Sequence, residues 1–482
     1  MIITIRNLTT DIIVAQASSS PSKFNVNRRT KHHGNGSTEK SSFPTEITLH
    51  TSVDVVMELP KGFQHELNLQ HIPDTVQDLS SSTMTETQGL LGRNKWHIHP
   101  EGFKVRFSMM LGSFLSEMPD RLPLSSLALP GTHDTMAFHG WPISQCQSPA
   151  SPLSTQLLGG IRVLDIRLAV IPPPTPILKP DIKYELIAYH GLWPQKTPFT
   201  IILKDIHAFL NSPIGMKETI VMSIKQEDFV VTPARIFSKL VRETIVHGAG
   251  GWGDSESTGH GVNKGMWFLE NRIPRLGEVR GKVVMLSRFG GDGHGWEGGL
   301  EGLGIHPTTW PDSEKKGFQW ELKGTLVRTH DWYGIPSFLS IPEKVKLGTE
   351  NLIPPPDLKK PLLPITYFSA ASFPLAFPPT VAKGFGWPKW GLGVEGVNSK
   401  LGAWLLDQLG GDAGAAYPKA TNKDILLEKR PQGEQQAEPR IRGWTFLDYY
   451  SEPEGGDLVP LLIECNFRGR KEGEEGCQDP NL

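Results

Sequence analysis

Leu-Ser-Ser-Leu-Ala-Leu-Pro-Gly-Thr-His-Asp-Thr (Leu124–Thr135) and Gly-Gly-Ile-Arg-Val-Leu-Asp-Ile-Arg (Gly159–Arg167) share one plan. In each, a short apolar run ends in polar side chains. Short runs that stay apolar without alternation suit strands buried on both faces of a parallel sheet. Working outward, such runs recur at Ser125–Leu129, Arg162–Arg167, Glu185–Tyr189, Thr219–Lys225, Lys282–Arg288, Gly324–Arg328, Ile365–Ser369 and Trp444–Leu447. Helix candidates lie between them at Leu153–Leu158, Thr200–Leu210, Pro233–Val246, Asn398–Leu409 and Asp457–Cys465. Strands alternating with helices predict an α/β chain folded as a (β/α)8 TIM-type barrel, irregular in its connections. Such barrels carry their chemistry at the C-terminal strand ends, where His133, Arg167, His190, Lys225, Arg288, Asp331 and Asp448 fall.

The connections are uneven. Ile171–Ile182 is proline-rich, Gly290–Gly304 glycine-rich, Glu343–Pro364 long and polar, and 410–441 charged and turn-rich; all four are expected to be surface insertions. Phe103–Met118 is apolar enough for a helix leading into the core. The barrel domain is placed at 96–482, with 1–95 as a separate N-terminal region, either a small β-rich module or largely a tail. Within it, Ser-, Lys- and Asn-rich 16–47 predicts disorder, 48–59 a strand and 76–90 a polar linker. Val14–Ser18 has the small residues of a leader cleavage site, but Arg6, Asn7 and Asp11 interrupt the apolar stretch before it. A short strand at Ile2–Ile5 is the reading preferred.

Composition excludes several classes. At 482 residues and a formal net charge of -2 the chain has no basic stripe for nucleic acid and no acidic tail. Cys146, Cys465 and Cys477 are too few and scattered for a disulfide framework or a zinc site. Reduced thiols are favoured, with a Cys465–Cys477 bridge left open. No apolar run reaches the roughly 18 residues of a membrane span. An intracellular monomer is expected. His139, His207, His294 and His306 show no metal-ligand spacing and are read as surface or satisfied polar residues. Trp252, Trp267, Trp296, Trp310 and Trp332 fall in loops placed near the top face, as core or rim packing or as lipid contacts.

Two histidines, an arginine and several aspartates at strand ends suit acid–base attack on a phosphate ester. A neutral imidazole takes a proton from a hydroxyl near neutral pH, and a planar guanidinium offers paired hydrogen bonds to phosphate oxygens.

Ala128–Thr135, Arg162–Arg167 and Ala188–Gly191 together resemble the X domain of phosphatidylinositol-specific phospholipase C, closest to its bacterial-type, metal-independent branch. The resemblance continues through Glu218–Glu227, Ile273–Phe289 and Asp331–Tyr333, with a weaker match at Trp444–Tyr449, in the style of a fungal member. It implies a phosphodiesterase that cleaves the glycerol–phosphate bond of an inositol phospholipid through an inositol cyclic phosphate. It further implies His133 as general base, His190 as general acid and Arg167 as the fixed cation on the phosphate. Asp448 would then serve His133, and Asp134 would serve His190. Asp165 would support Arg167 or the phosphate site, or be structural. Lys225, Arg288, Asp331 and Tyr333 would contact the inositol ring. Arg167 stands where the metal-dependent branch uses calcium, so no metal and no cofactor is implied. The partner implied is a phospholipid met in transient contact at a membrane surface. Two departures touch head-group preference: His330 in place of a common glutamine, and the proline-rich 171–182 insertion. Two other readings stay open, namely another phosphodiester such as a glycerophosphodiester, and a phosphoinositide-binding protein without turnover.

Overall fold

The computed structural model describes residues 111–466 with their side chains, except 175–180, 254–264, 291–302, 356–359, 373, 387–392, 410–439 and 453–457; nine β-strands are described between Ile2 and Phe107. The chain divides into two units. One comprises Met1–Met109, 404–439 and 467–469; the other comprises Met110–Ala403, Arg440–Asn466 and Arg470–Leu482.

In the first unit, antiparallel pairing joins Phe24–Val26, Thr45–His50, Ile2–Asn7, Lys104–Phe107, Lys95–Ile98 and Thr85–Gln88 in that spatial order. A second sheet runs Thr38–Ser41, Ile13–Ala17, Val55–Glu58. Ile2–Asn7 thus contains the expected first strand, and 48–59 divides between two strands. Of 16–47 and 76–90, only the strand residues are described; the rest of both expectations lies outside the described residues.

The second unit is an irregular TIM-type barrel. Its first strand, β1, comes in two pieces, Ala128–Leu129 and Gly131–Thr132, broken at Pro130. It is followed by β2 (Val163–Ile171), β3 (Thr219–Gln226), β4 (Lys282–Arg288), β5 (Thr325–His330), β6 (Leu362–Tyr367) and β7 (Gly443–Phe446). These pair in parallel in the order β4-β3-β2-β1-β7-β6-β5. Pro130 explains how one strand serves both neighbours. It has no N–H to donate, while its carbonyl accepts from Arg162 N at 2.7 Å and Val163 N at 3.1 Å. Ala128–Leu129 therefore pairs with β7 and Gly131–Thr132 with β2. A side chain at Gly131 would start 2.4 Å from the Thr445 carbonyl oxygen and 2.6 Å from Val163, so only glycine passes there. Between β4 and β5, among the described residues, a parallel bridge joins Leu286 to Ile305.

The helices cover the outer face. α1 (Leu153–Leu158), α2 (Phe199–Leu210) and α3 (Ala234–His247) form close to where periodicity places them. α2 buries Phe199, Ile202, Leu203, Ile206, Phe209 and Leu210, a stripe spaced three and four residues apart. Further on come α4 (Ile341–Leu352), α5 (Pro378–Lys383), α6 (Val397–Gly410) and α7 (Leu458–Glu464).

Four expectations need correction. Glu185–Tyr189 is not a barrel stave: Glu185–His190 pairs antiparallel with the outer half of β2 and turns back as Trp193–Pro198, a hairpin beyond the barrel. The run is apolar because Leu186 and Ala188 are buried, which periodicity cannot distinguish from a stave. Phe103–Met118 is not one helix but strand Lys104–Phe107 and a 3-10 segment Leu111–Glu117. Glu343–Pro364 is no polar insertion, since most of α4 lies in it. The buried stripe of α4 includes Lys344, Gly348 and Thr349 beside Ile341, Val345 and Leu352, so its apolar period is diluted. Trp267 lies far from the top face, paired with Val283 near the start of β4. The 291–302 part of the glycine-rich loop, 410–439, His294 and Trp296 lie outside the described residues.

Candidate active site

Each half of the opening motif delivers its polar residues to one place. β1 ends at Thr132, and His133 N donates to Leu447 O at 3.0 Å, which fixes the first turn of the loop against β7. Gln147, fully buried, donates to the carbonyls of both His133 and Leu447 at 2.8 Å each. Asp134 follows with φ 42°, a left-handed backbone that aspartate tolerates better than most residues. Its N–H reaches Asp165 Oδ2 at 3.2 Å, tying the end of β1 to β2.

The His133 ring is held at both nitrogens. Nδ1 lies 2.8 Å from Asp448 Oδ1, and Nε2 lies 2.6 Å from an Arg167 guanidinium nitrogen. Because guanidinium can only donate, Nε2 presents its lone pair and the ring proton is assigned to Nδ1, donated to Asp448. Burial, then the Arg167 charge, pushes the His133 pKa well below 6.5. Burial, with the Asp134 charge nearby, pushes the Asp448 carboxyl well above its usual range.

Arg167 is the electrostatic centre. Nε pairs with Asp165 at 3.0 Å, and one terminal nitrogen pairs with Asp134 at 3.0 Å and Glu227 at 3.2 Å. Burial alone would weaken so enclosed a guanidinium, but the three carboxylates outweigh it and raise its pKa. The opposite balance holds at Asp165, where burial is overcome by Arg167 and Arg288 and the carboxyl is held below its usual range. At Asp134 burial wins over Arg167 and His190, and the pKa is pushed up to about 6.

His190 stands at the tip of the hairpin. Its Nε2 is 3.5 Å from Asp134 Oδ2, while His133 Nε2 is 3.4 Å from the same oxygen. Asp134 therefore lies between the imidazoles, whose ring centroids are 6.4 Å apart, rather than beside His190 alone. His190 Nδ1 faces the Ser144 carbonyl at 3.1 Å and Cys146 Sγ at 3.7 Å.

The expected ring contacts line the adjoining wall. Lys225 pairs with Glu227 at 3.1 Å, and burial then Arg167 lower its pKa. Arg288 stacks on Trp310 at 3.9 Å, donates to Tyr367 at 2.8 Å and lies 3.9 Å from Asp331. Trp310 Nε1 donates to Asp331 at 2.9 Å, so side chains bridge β4 and β5 where the sheet is thin. Tyr333 is half exposed and donates to Asp312. Glu227, Tyr367 and Gln147 were not singled out from sequence, and Trp310 was read there only as core or rim packing or a lipid contact. Glu227 carried a signal: two residues after Lys225, just past the end of β3, it continues the face that Lys225 occupies. His330 is buried, its Nε2 3.2 Å from the Lys315 carbonyl, and burial takes its pKa to about 3.

Among the described residues one trio could offer atoms to a metal: His133, Asp134 and Cys146, within 4.8 Å of one another. The Arg167 guanidinium already touches two of them, and burial pushes the Cys146 thiol up, so this donor set suits a cation poorly. Cys465 is likewise buried, and Cys477 lies outside the described residues.

No protein-family model matches the chain. A curated relative, the 1-phosphatidylinositol phosphodiesterase of Listeria monocytogenes, is 28% identical over 208 residues, 41% of this chain. The chain spans about half of that relative, 55% of its length. Two structures of a Staphylococcus aureus phosphatidylinositol-specific phospholipase C, one carrying pentafluoro-phenylalanine, superpose with a TM-score of 0.50 at 20% identity. Each overlap covers 74% of this chain and 98% of the other. The chain is similar to the phosphatidylinositol-specific phospholipases C in sequence and in fold. The likeness of fold is the TIM-type barrel itself.

Proposed function

We propose that the chain is a metal-independent phosphodiesterase that cleaves an inositol phospholipid between glycerol and phosphate. One observation carries the reading: two imidazoles 6.4 Å apart face one buried Asp134 carboxylate, and the Nε2 lone pair of one of them accepts from the Arg167 guanidinium. An in-line displacement at phosphorus needs a base on one side and an acid on the other, with fixed positive charge between. His133 Nε2 takes the proton of the inositol 2-hydroxyl as its oxygen bonds to phosphorus. Arg167 holds the non-bridging oxygens. The bond from phosphorus to the glycerol oxygen breaks, and His190 supplies that oxygen's proton, releasing diacylglycerol and an inositol cyclic phosphate. Water then opens the ring with the two histidines exchanging roles. Lys225, Arg288, Asp331 and Tyr333 hold the inositol hydroxyls, and Asp448, Asp134 and Asp165 hold the three cationic or proton-bearing groups in place.

The substrate would be met at a lipid surface; no helix among the described residues is long and apolar enough to cross a membrane. Trp141, Leu192, Phe229, Val230, Leu339 and Leu375 are exposed on loops that follow the strands or the hairpin strand carrying the site, which suits that contact.

The test is release of water-soluble inositol phosphate from phosphatidylinositol vesicles in EDTA. Wild type turns over, and His133→Ala loses several orders of magnitude, in line with roughly 10²–10⁴ for acid–base catalysis. Abolition by EDTA would transfer the charge role from Arg167 to a metal and sink the metal-free mechanism.

A further inference from the structure

The hairpin that replaces the expected third barrel strand carries more than His190. Its return strand, Trp193–Pro198, brings in Gln195, which is 1% exposed. Gln195 Oε1 accepts from His139 N at 2.7 Å, and its Nε2 donates to His139 O at 3.0 Å and Ser144 O at 3.4 Å. One buried amide thus closes the 139–144 loop. The loop reinforces itself: Ser144 Oγ donates to the carbonyls of His139 at 3.1 Å and Trp141 at 2.9 Å. Gly140 makes the turn with φ 98°, and a Cβ there would start 2.2 Å from Ser144 Oγ.

All this fixes one atom, the Ser144 carbonyl oxygen, 3.1 Å from His190 Nδ1. An imidazole that delivers a proton from Nε2 must keep the other proton on Nδ1. A fixed carbonyl acceptor secures that tautomer without adding negative charge, unlike the carboxylate that serves His133. We propose that Gln195 is a positioning residue for the general acid, holding the Ser144 carbonyl on the Nδ1 proton of His190. The inference rests on the phosphodiesterase reading above.

Two readouts test it in the full-length chain. The first compares two substrates: phosphatidylinositol, whose alkoxide leaving group needs a proton, and an inositol phosphate ester of 4-nitrophenol, whose leaving group does not. Gln195→Leu is expected to lose about 10–100-fold on the first, part of the range open to an acid catalyst, and under about threefold on the second. The second readout is the 15N chemical shift of the His190 ring nitrogens, assigned against His190→Gln. Wild type should show Nδ1 protonated in the neutral ring, and Gln195→Leu a mixture of tautomers.

Equal losses on both substrates, or no loss on either, would overturn the positioning role, as would an unchanged His190 tautomer. Should Gln195→Leu fail to fold, Gln195→Glu keeps the acceptor for His139 N, removes both donated bonds and is expected to shift the same two readouts. A wild type inert toward both substrates would defeat the phosphodiesterase reading, and the ring-nitrogen shifts would still decide the clamp.

Discussion

The two histidines of the site are built differently. His133 follows directly on a barrel strand, and its partners Asp448 and Arg167 come from the ends of other barrel strands. His190 comes from a hairpin outside the barrel and rests on a main-chain carbonyl. The first is locked by charge among buried groups, and the second is placed by a loop that a single glutamine closes. A base needs its Nε2 lone pair clear of a proton, and an anionic partner on Nδ1 secures that tautomer. An acid needs its proton loosely held and does better against a neutral one. The asymmetry of construction follows the asymmetry of task.

The sharpest break is by leaving group. His133→Ala should cost roughly 10³–10⁴ on any inositol phosphodiester, because the attacking hydroxyl always needs a base. His190→Ala should cost a comparable factor only where the leaving group is an alkoxide. Steady-state rates on the two substrate types separate these outcomes, and equal losses for His190→Ala would erase the distinction. The pH profile sharpens it further. His133 titrates well below 6.5 and stays a competent base in mild acid, whereas Asp134 takes up its proton at about 6. As pH falls through that value the carboxylate between the two rings is neutralised and kcat/KM should drop. The residual activity of Asp134→Asn should lack this limb.

The difference between the halves also explains what could be read in the sequence. The β1 and β2 motifs were legible because strand, turn and catalytic side chains are contiguous: Pro130, Gly131 and His133 each have a local reason to be where they are. Asp448 was placed at a strand end by pattern, but its pairing with His133 came only through the resemblance, since that is a contact across 315 residues. The hairpin was misread because an apolar strand beside a barrel looks like one inside it. Gln195 gave no signal at all: a glutamine between Pro194 and Lys196 reads as a surface residue until the loop it holds is seen. α4 was lost because its buried stripe contains Lys344, whose ammonium is satisfied by the Trp332 carbonyl at 2.7 Å.

A smaller effect on rate, though a large one on stability, comes from the foot of β2. There Arg162 pairs with Glu218 at 2.9 Å, both side chains fully enclosed, and also donates to the carbonyls of Leu157, Ile161 and Gly112. Arg162→Met leaves a buried carboxyl without its partner and should cost about 3–5 kcal/mol in denaturant unfolding. Burial already raises the Glu218 pKa above 4.5 against the pull of Arg162. Without Arg162 it rises further, so the folded state holds a proton that the unfolded state gives up. Stability should then decline as pH climbs above about 4.5, and adding Glu218→Met should restore much of it. The ratio of rates on the two substrate types should not change, because the floor of the barrel bears on both halves alike.

The mildest test returns to the hairpin. Leu192, 92% exposed, lies two residues beyond His190 at the turn. An exposed leucine supports nothing in the fold, so Leu192→Ser should leave stability within about 0.5 kcal/mol. If the hairpin places the acid and also meets the lipid, the variant should lose a few-fold in turnover on phosphatidylinositol vesicles. It should lose nothing on a soluble inositol phosphodiester. An equal loss on both would mean that the turn communicates with His190 rather than with the surface. No loss on vesicles would transfer the lipid contact to the β3 and β5 loops, where Val230 and Leu339 are the residues to change next. Either result would separate the two duties that only the acid side of the site combines.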